Sequence, residues 1–493
     1  MFEVERRRSN DSRNKSNFGS VIDEGGNMEL WQRSARDLAQ LIASGQVSSR
    51  EVVSAHLRRI EEVNPQLNAV IRRMDESALA GADAADSAVR RGGQLGPLHG
   101  VPFTVKENID VAGTPTTSSV VALAGAVSSS DAPVVERMKA AGGIVIGRTN
   151  LPDMGLRIHT DSSLHGLTRN PWEPNRTAGG SSGGEGSALA SGMSPIGLGN
   201  DIGGSLRNPA HCCGVASIKP TQGVIPGATE IPPTAYSLAF QLMASEGVMA
   251  RRVSDVRLGF DIVRGQHRRD PYSVAAGLPE APNDRPWRVA VMDVPPGGAT
   301  DPGIASVVRS AGDALSRAGH DVVTATPPDF EEIVTMWAST LNSDLTVNRP
   351  LLEAVMGEDA KKFLGYGMSV FPELDAPALA LLHLRRHEVA AKWAQWFGEF
   401  DVMLSPTWAL PAFTHGFDVA GLDQAKVVLE TFRPVLPMNL FGSPSVVVPA
   451  GISEGLPVGV QVCAWRFDDM KCLAAAQVID DMIGITTPID PRH

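Results

Sequence analysis

The chain carries four cysteines in 493 residues, Cys212, Cys213, Cys463 and Cys472. That is too few to staple so long a chain. No C-x-x-C pair or Cys/His spacing suits zinc, and His211 beside Cys212-Cys213 has no further ligands, so no metal is expected. Buried free thiols in a cytoplasmic protein are the expectation. An excess of basic charge is also missing: 44 Lys and Arg against 55 Asp and Glu leave a net charge of −11. Phosphate binding needs a basic surface, so nucleic acid is not an expected partner. No apolar run approaches the roughly 18 residues of a membrane span. The stretch from Val120 to Val127 is short enough for ordinary core. The first 27 residues include Glu5-Arg6-Arg7-Arg8 and lack an apolar segment, so a secretory signal is not expected. Residues 1–27 read as a disordered arm, with Met28 as an alternative start. No internal repeat stands out.

What is present suits a soluble, loop-rich enzyme: 43% hydrophobic and 20% charged residues, with 49 Gly and 35 Pro. Ser34-x-x-Asp37 and Ser48-x-x-Glu51 carry the pattern of helix-opening capping boxes. After the second, Val52, Val53, Leu57, Ile60 and Val63 recur at helical spacing, and Asn64-Pro65 is expected to stop the helix. Helices are expected over 77–91 and 134–141. Strands are expected over 101–105, which puts Lys106 at a strand end, and over 143–147. After a proline-rich break near 265–286, a strand resumes over 287–292 and Asp301-Pro302 opens a helix. Residues from about 330 to 400 read as mostly helical, and 401–404 and 445–449 return to strand. This alternation argues for an α/β layered fold. Length alone would allow about three domains. A single catalytic domain over 28–493, built from both ends of the chain, is the expectation.

Two serines stand in separate glycine clusters. Ser181 lies in Gly179-Gly180-Ser181-Ser182-Gly183-Gly184, and Ser205 in Asp201-Ile202-Gly203-Gly204-Ser205-Leu206-Arg207. Glycines around a serine let the backbone approach a reacting atom and turn its amides toward it. A serine nucleophile needs a base, and a buried lysine can serve without histidine. Lys106, in Val105-Lys106-Glu107-Asn108, is the candidate. Ser205 is the better nucleophile because the amides just before it can form an oxyanion hole. Ser181 would relay a proton between Ser205 and Lys106. A free lysine titrates near about 10.4, so burial or a neighbouring cation must lower Lys106 for that role.

From Gly179 to Ser187 and from Gly197 to Pro209 the sequence resembles the amidase signature family. Flanking agreement comes from Gly96–Lys106, Gly113–Thr117, Gly147–Asn150, Thr168–Trp172, Gly214–Thr221 and Gly455–Gln461. The resemblance runs from about Met28 to the C-terminus and is strongest up to about Ile262. It implies a mixed twisted sheet covered by helices on both faces. By position, Lys106 would be the general base and acid, Ser181 the bridging serine held by a cis peptide, and Ser205 the acylated nucleophile. Amides of Ile202, Gly203, Gly204 and Ser205 would hold the oxyanion. Ser182, Asp201 and Arg207 would support the network, and Met154, Gly155, Leu156 and Asn200 would line the substrate pocket together with the variable helical region. No cofactor is implied.

The implied reaction is hydrolysis of a carboxylic amide C–N bond through an acyl-enzyme. Met154, Leu156 and Ala378–Leu382 favour apolar or aryl amides, and carbamates (urethanes) or esters are reachable by the same acylation. The expected partner is a small amide or carbamate, with no nucleic acid or membrane, and the chain is a monomer or homodimer. A glutamine-hydrolysing amidotransferase subunit is the rival. Lys361–Ser369 departs from the tyrosine- and arginine-rich pattern expected of one. Gly197-x-Gly199-x-x-x-Gly203 is a weak dinucleotide-binding pattern outside its βαβ context. His99 and Glu185 are expected to be structural, as are Trp337, Trp393, Trp396 and Phe397 as helical core.

Overall fold

The chain's richest runs of β-branched residues meet in one sheet. The computed structural model describes residues 28–275, 277–282, 284–371, 373–484 and 488–492, and the expected arm over 1–27 lies outside them. The strands are β1 Val70–Arg73, β2 Pro102–Lys106, β3 Ile144–Thr149, β4 Asp161–Ser162, β5 Gly166–Leu167, β6 Ile196–Asp201, β7 Ala216–Lys219, β8 Ser245–Ala250, β9 Arg288–Val291, β10 Asp321–Thr324, β11 Val402–Pro406, β12 Ser445–Ser453 and β13 Leu456–Cys463. Eleven of them form one sheet in the order β1-β3-β2-β6-β8-β7-β12-β13-β11-β9-β10, with β4 and β5 pairing apart. Pairing is mixed: β2 runs parallel to β3 and β6, and β9 to β10 and β11. The other main-sheet pairs are antiparallel.

Alternate side chains of a strand leave opposite faces, and both faces are buried here. Val145 packs with the helices Pro133–Ala140 and Val253–Val263, whereas Ile144 and Ile146 pack with Ser49–Leu67 and Asp75–Arg90. In the same way Val446 and Val448 share a cluster with Asp469–Met482, while Val447 meets the Arg207–Cys213 side. A sheet buried on both sides reads as a near-continuous apolar run, as these strands do.

Local signals explain several helix starts. Ser48 and Glu51 form a complete reciprocal capping box, and the Asp301 carboxylate accepts from the amides of Gly303 and Ile304. Ser34 caps only one way, accepting from the Asp37 amide. The expected stop at Asn64-Pro65 is overturned, because the helix continues to Leu67 with Pro65 inside it. A proline so near the end removes little of the hydrogen-bond ladder. The true stop is Asn68 at φ 51, where the Asn64 side chain takes the amides of Ala69 and Val70 at 2.8 Å each. The region from about 330 to 400 is helical as expected, in Glu332–Val355, Glu358–Val370 and Ala376–Phe397.

Candidate active site

Register places the candidate base. β2 and β6 are parallel neighbours, with Val105 opposite Leu198, so Lys106 and Asn200 lie together at their carboxyl ends. Crevices outside strand carboxyl ends are the usual ligand sites of such sheets. Lys106 is fully buried; its Nζ donates to Asn200 Oδ1 at 2.6 Å and to Ser181 Oγ at 2.8 Å. Burial pulls its pKa down to about 7, against the carboxylates of Glu246, Asp201 and Glu185, which raise it. Lys219 is the control: burial and Arg207 bring it to about 7 too, but among the described residues it donates only to the Pro220 carbonyl. Among the described residues, the buried lysine joined to a serine is Lys106.

The two serine loops touch each other. The Gly180–Ser181 peptide is cis, and the next amide, that of Ser182, donates to the Ser205 carbonyl at 3.2 Å. Ser182 Oγ reaches the Asn200 carbonyl at 3.5 Å. The segment from Asp201 to Leu206 winds around the Asp201 carboxylate, which accepts from the amides of Gly204 at 2.8 Å and Leu206 at 3.1 Å. Arg207 clamps the same carboxylate with two bonds of 3.0 Å, then reaches the Val435 carbonyl and the side chains of Asn439 and Gln461. Burial alone would raise Asp201, but Arg207 and Asn439 hold it far below the usual carboxylate range. Asp201 and Arg207 thus hold the turn between them.

One expectation needs correction. The Gly204 amide is occupied by Asp201, so it is not a free oxyanion donor. The amides of Ile202, Gly203 and Ser205 have no acceptor among the described residues. Trp337 orients this turn by donating from Nε1 to the Ile202 carbonyl at 2.9 Å. In a trans peptide C=O and N–H point oppositely, so this bond aims the Gly203 amide away from Trp337. Gly203 must lack a side chain there, since a Cβ would lie 2.5 Å from Trp337 Cζ2. Gly204 sits at φ +100, a conformation that favours glycine.

Ser205 opens onto a cavity lined by Gly155, Leu156, Ile202 and Gly203, beyond them by Trp337, Leu341, Leu345, Phe363 and Leu364 of the helical region, and by Phe432 and Leu436. Two expected pocket residues are placed elsewhere. Asn200 is held by Lys106, and Met154 lies outside the lining at φ 53, its amide donating to the Ser118 carbonyl. The stretch Ala378–Leu382 is also outside the lining, with Leu381 on the surface. Arg157 lines the cavity but is spent on buried Asp418, with bonds of 2.5 and 3.0 Å. Trp337 belongs to this cavity, whereas Trp393, Trp396 and Phe397 stack in the core as expected. His99 is structural, its ring bonded to the Ala85 carbonyl, and Glu185 accepts from Thr104 and Thr149 while burial raises it to about 7. No His, Cys, Asp and Glu cluster among the described residues suits a metal.

Sequence reasoning missed Trp337 as the orienting group and Glu246, which lies beside the Lys106–Asn200 pair and whose buried Oε2 has no partner among the described residues. Neither had a local signal, because both arrive from distant segments.

A profile of the Amidase family matches residues 51–473. The chain belongs to the amidase family, the amidase signature enzymes. It is an amide C–N hydrolase. It is 40% identical over 458 residues to an indoleacetamide hydrolase of Bradyrhizobium diazoefficiens, covering 92% of this chain and 87% of that one. It is 33% identical over 454 residues to an acylamidase of Rhodococcus erythropolis, covering 90% of this chain and 94% of that one. A solved 6-aminohexanoate cyclic dimer hydrolase in complex with substrate superposes with a TM-score of 0.80 at 29% identity, covering 92% and 98%. No described helix is long and apolar enough to cross a membrane.

Proposed function

We propose that this amidase attacks its substrate carbonyl with Ser205 and that the acyl part it accepts is apolar, an aryl or arylalkyl group. The observation that carries the catalytic half is the buried Lys106 Nζ at 2.8 Å from Ser181 Oγ, in a loop hydrogen-bonded to the Ser205 turn. Burial lowers the Lys106 pKa to about 7, which brings its neutral, proton-accepting form within reach near neutral pH. Lys106 draws a proton through Ser181 as Ser205 Oγ adds to the carbonyl. The oxyanion is held by the amides of Ile202, Gly203 and Ser205. The proton returns to the leaving nitrogen, the C–N bond breaks, and an ester to Ser205 remains. Water then repeats the cycle and releases the acid. Ser181, Ser182, Asp201 and Arg207 hold the parts in line, within one catalytic domain.

The cavity carries the substrate half. Its wall is leucine, phenylalanine and tryptophan, and its arginine is already paired, so among the described residues it offers no free cation for the α-carboxylate of glutamine. This disfavours the amidotransferase reading. The indoleacetamide hydrolase relative acts, by its name, on an arylacetamide, which is the chemistry this wall fits. Aryl carbamates and esters present the same carbonyl to Ser205 and fall within reach of the same acylation.

A panel of arylacetamides, anilides, glutamine, aryl esters and aryl carbamates, compared by kcat/KM, tests the proposal. Arylacetamides and anilides should lead among the amides. Glutamine turnover at a comparable rate would overturn the substrate assignment.

A further inference from the structure

The pocket-facing stripe of the helix Glu332–Val355 runs Val334, Trp337, Ala338, Leu341, Asn342, Leu345. This is the i, i+3, i+4 spacing of a single helix face, and it is apolar at every position but one. Asn342 is the exception.

Half of its amide has a structural duty. Nδ2 donates to the Phe371 carbonyl at 2.5 Å and the Gly367 carbonyl at 3.3 Å, closing the end of the helix Glu358–Val370. Those two bonds fix which way the amide faces. Oδ1 is left without a partner among the described residues, in an otherwise greasy wall. Capping explains the nitrogen and gives no account of the oxygen. A leucine in the stripe would complete the apolar surface, whereas an unpaired acceptor in an apolar site penalises any ligand that brings no donor to it. The position also suits the far end of a substrate. Trp337 abuts the oxyanion turn, and Asn342 is five residues further along the same helix, roughly 7.5 Å at the α-helical rise.

We propose that Asn342 Oδ1 is a specificity determinant that accepts a hydrogen bond from an N–H or O–H on the apolar acyl part of the substrate. The preferred class is then an amide whose aromatic system carries one donor remote from the scissile bond. This rests on the reading of Ser205 as the attacking group and of the cavity as the acyl pocket.

The test uses two arylacetamides that differ at one ring atom, 2-(1H-indol-3-yl)acetamide and 2-(1-benzothiophen-3-yl)acetamide, where sulfur replaces N–H with little change of shape. The wild-type enzyme should prefer the indole by at least about tenfold in kcat/KM. Asn342→Leu should bring the two within about twofold, and because the comparison is made within one variant, a general loss of activity cancels. Equal wild-type rates would overturn the proposal while leaving the hydrolase reading intact, and they decide the matter even if Asn342→Leu does not fold. A preference that survives in Asn342→Leu would also overturn it. If neither amide is hydrolysed, calorimetric binding to Ser205→Ala separates the two readings. The same indole preference in Kd supports the donor subsite while the catalytic reading falls; equal or undetectable binding of both overturns the subsite.

Discussion

The glycine-serine segment from Gly179 to Arg207 and the helical wall from about 330 to 400 meet at Ser205, yet they are held by opposite means. In the first, nearly every residue is buried and polar groups are closed against each other: Asp201 by Arg207 and two amides, Ser182 by the Ser205 carbonyl. In the second, one face of each helix packs on apolar neighbours and the other meets solvent, with Val347 81% and Leu381 66% exposed. Hydrogen-bond networks tolerate little displacement, because a buried polar group left alone costs about 1–3 kcal/mol. An apolar wall is non-directional and can change its side chains so long as volume is kept. On the proposed reading, chemistry is built into the rigid half and substrate choice into the permissive half.

Substitutions should separate the halves by size and kind of effect. Lys106→Ala removes the base and should lower kcat/KM by about 10²–10⁴-fold, measured at saturating and subsaturating substrate. In the wild type, kcat/KM should rise with pH through about 7 and level off above it, since Lys106 is lowered to about 7 and only its neutral form accepts a proton. Next in size is Gly203→Ala. The new Cβ meets Trp337 at 2.5 Å and displaces the turn that presents the amides, so kcat should fall roughly 10²–10³-fold, the usual loss for one oxyanion donor. A change in KM alone would break the link between Trp337 and the oxyanion turn. Leu341→Ala, in the wall, should act mainly on binding: KM up about tenfold with kcat changed by less than about twofold. A large drop in kcat there would erase the distinction between the halves.

The same contrast explains what could be read from the chain. The geometry of the proposed catalytic half is legible because its constraints are local: glycines flank each serine, Asp201 and Arg207 lie within the same loop, and Lys106 ends a strand visible from its own residues. Even there, the occupied Gly204 amide was not visible, since the direction of one N–H depends on how the turn closes on Asp201. The wall was legible only as helices. That Trp337 serves the cavity while Trp393 serves the core depends on which helix face meets the Ser205 turn. Asn200 has no signal separating a pocket residue from a lysine partner until β2 and β6 are set in register. Pro65 misled for a simpler reason: a proline in a last turn leaves the helix nearly intact, and the stop belonged to Asn68.

The central claim is that Ser205, served by Lys106 through Ser181, forms the covalent intermediate. Peptide mapping by mass spectrometry after exposure to an aryl fluorophosphonate tests it most directly. The account predicts a single adduct on Ser205, lost in Ser205→Ala and strongly slowed in Lys106→Ala. An adduct on Ser181, or undiminished labelling of Ser205→Ala, would contradict it.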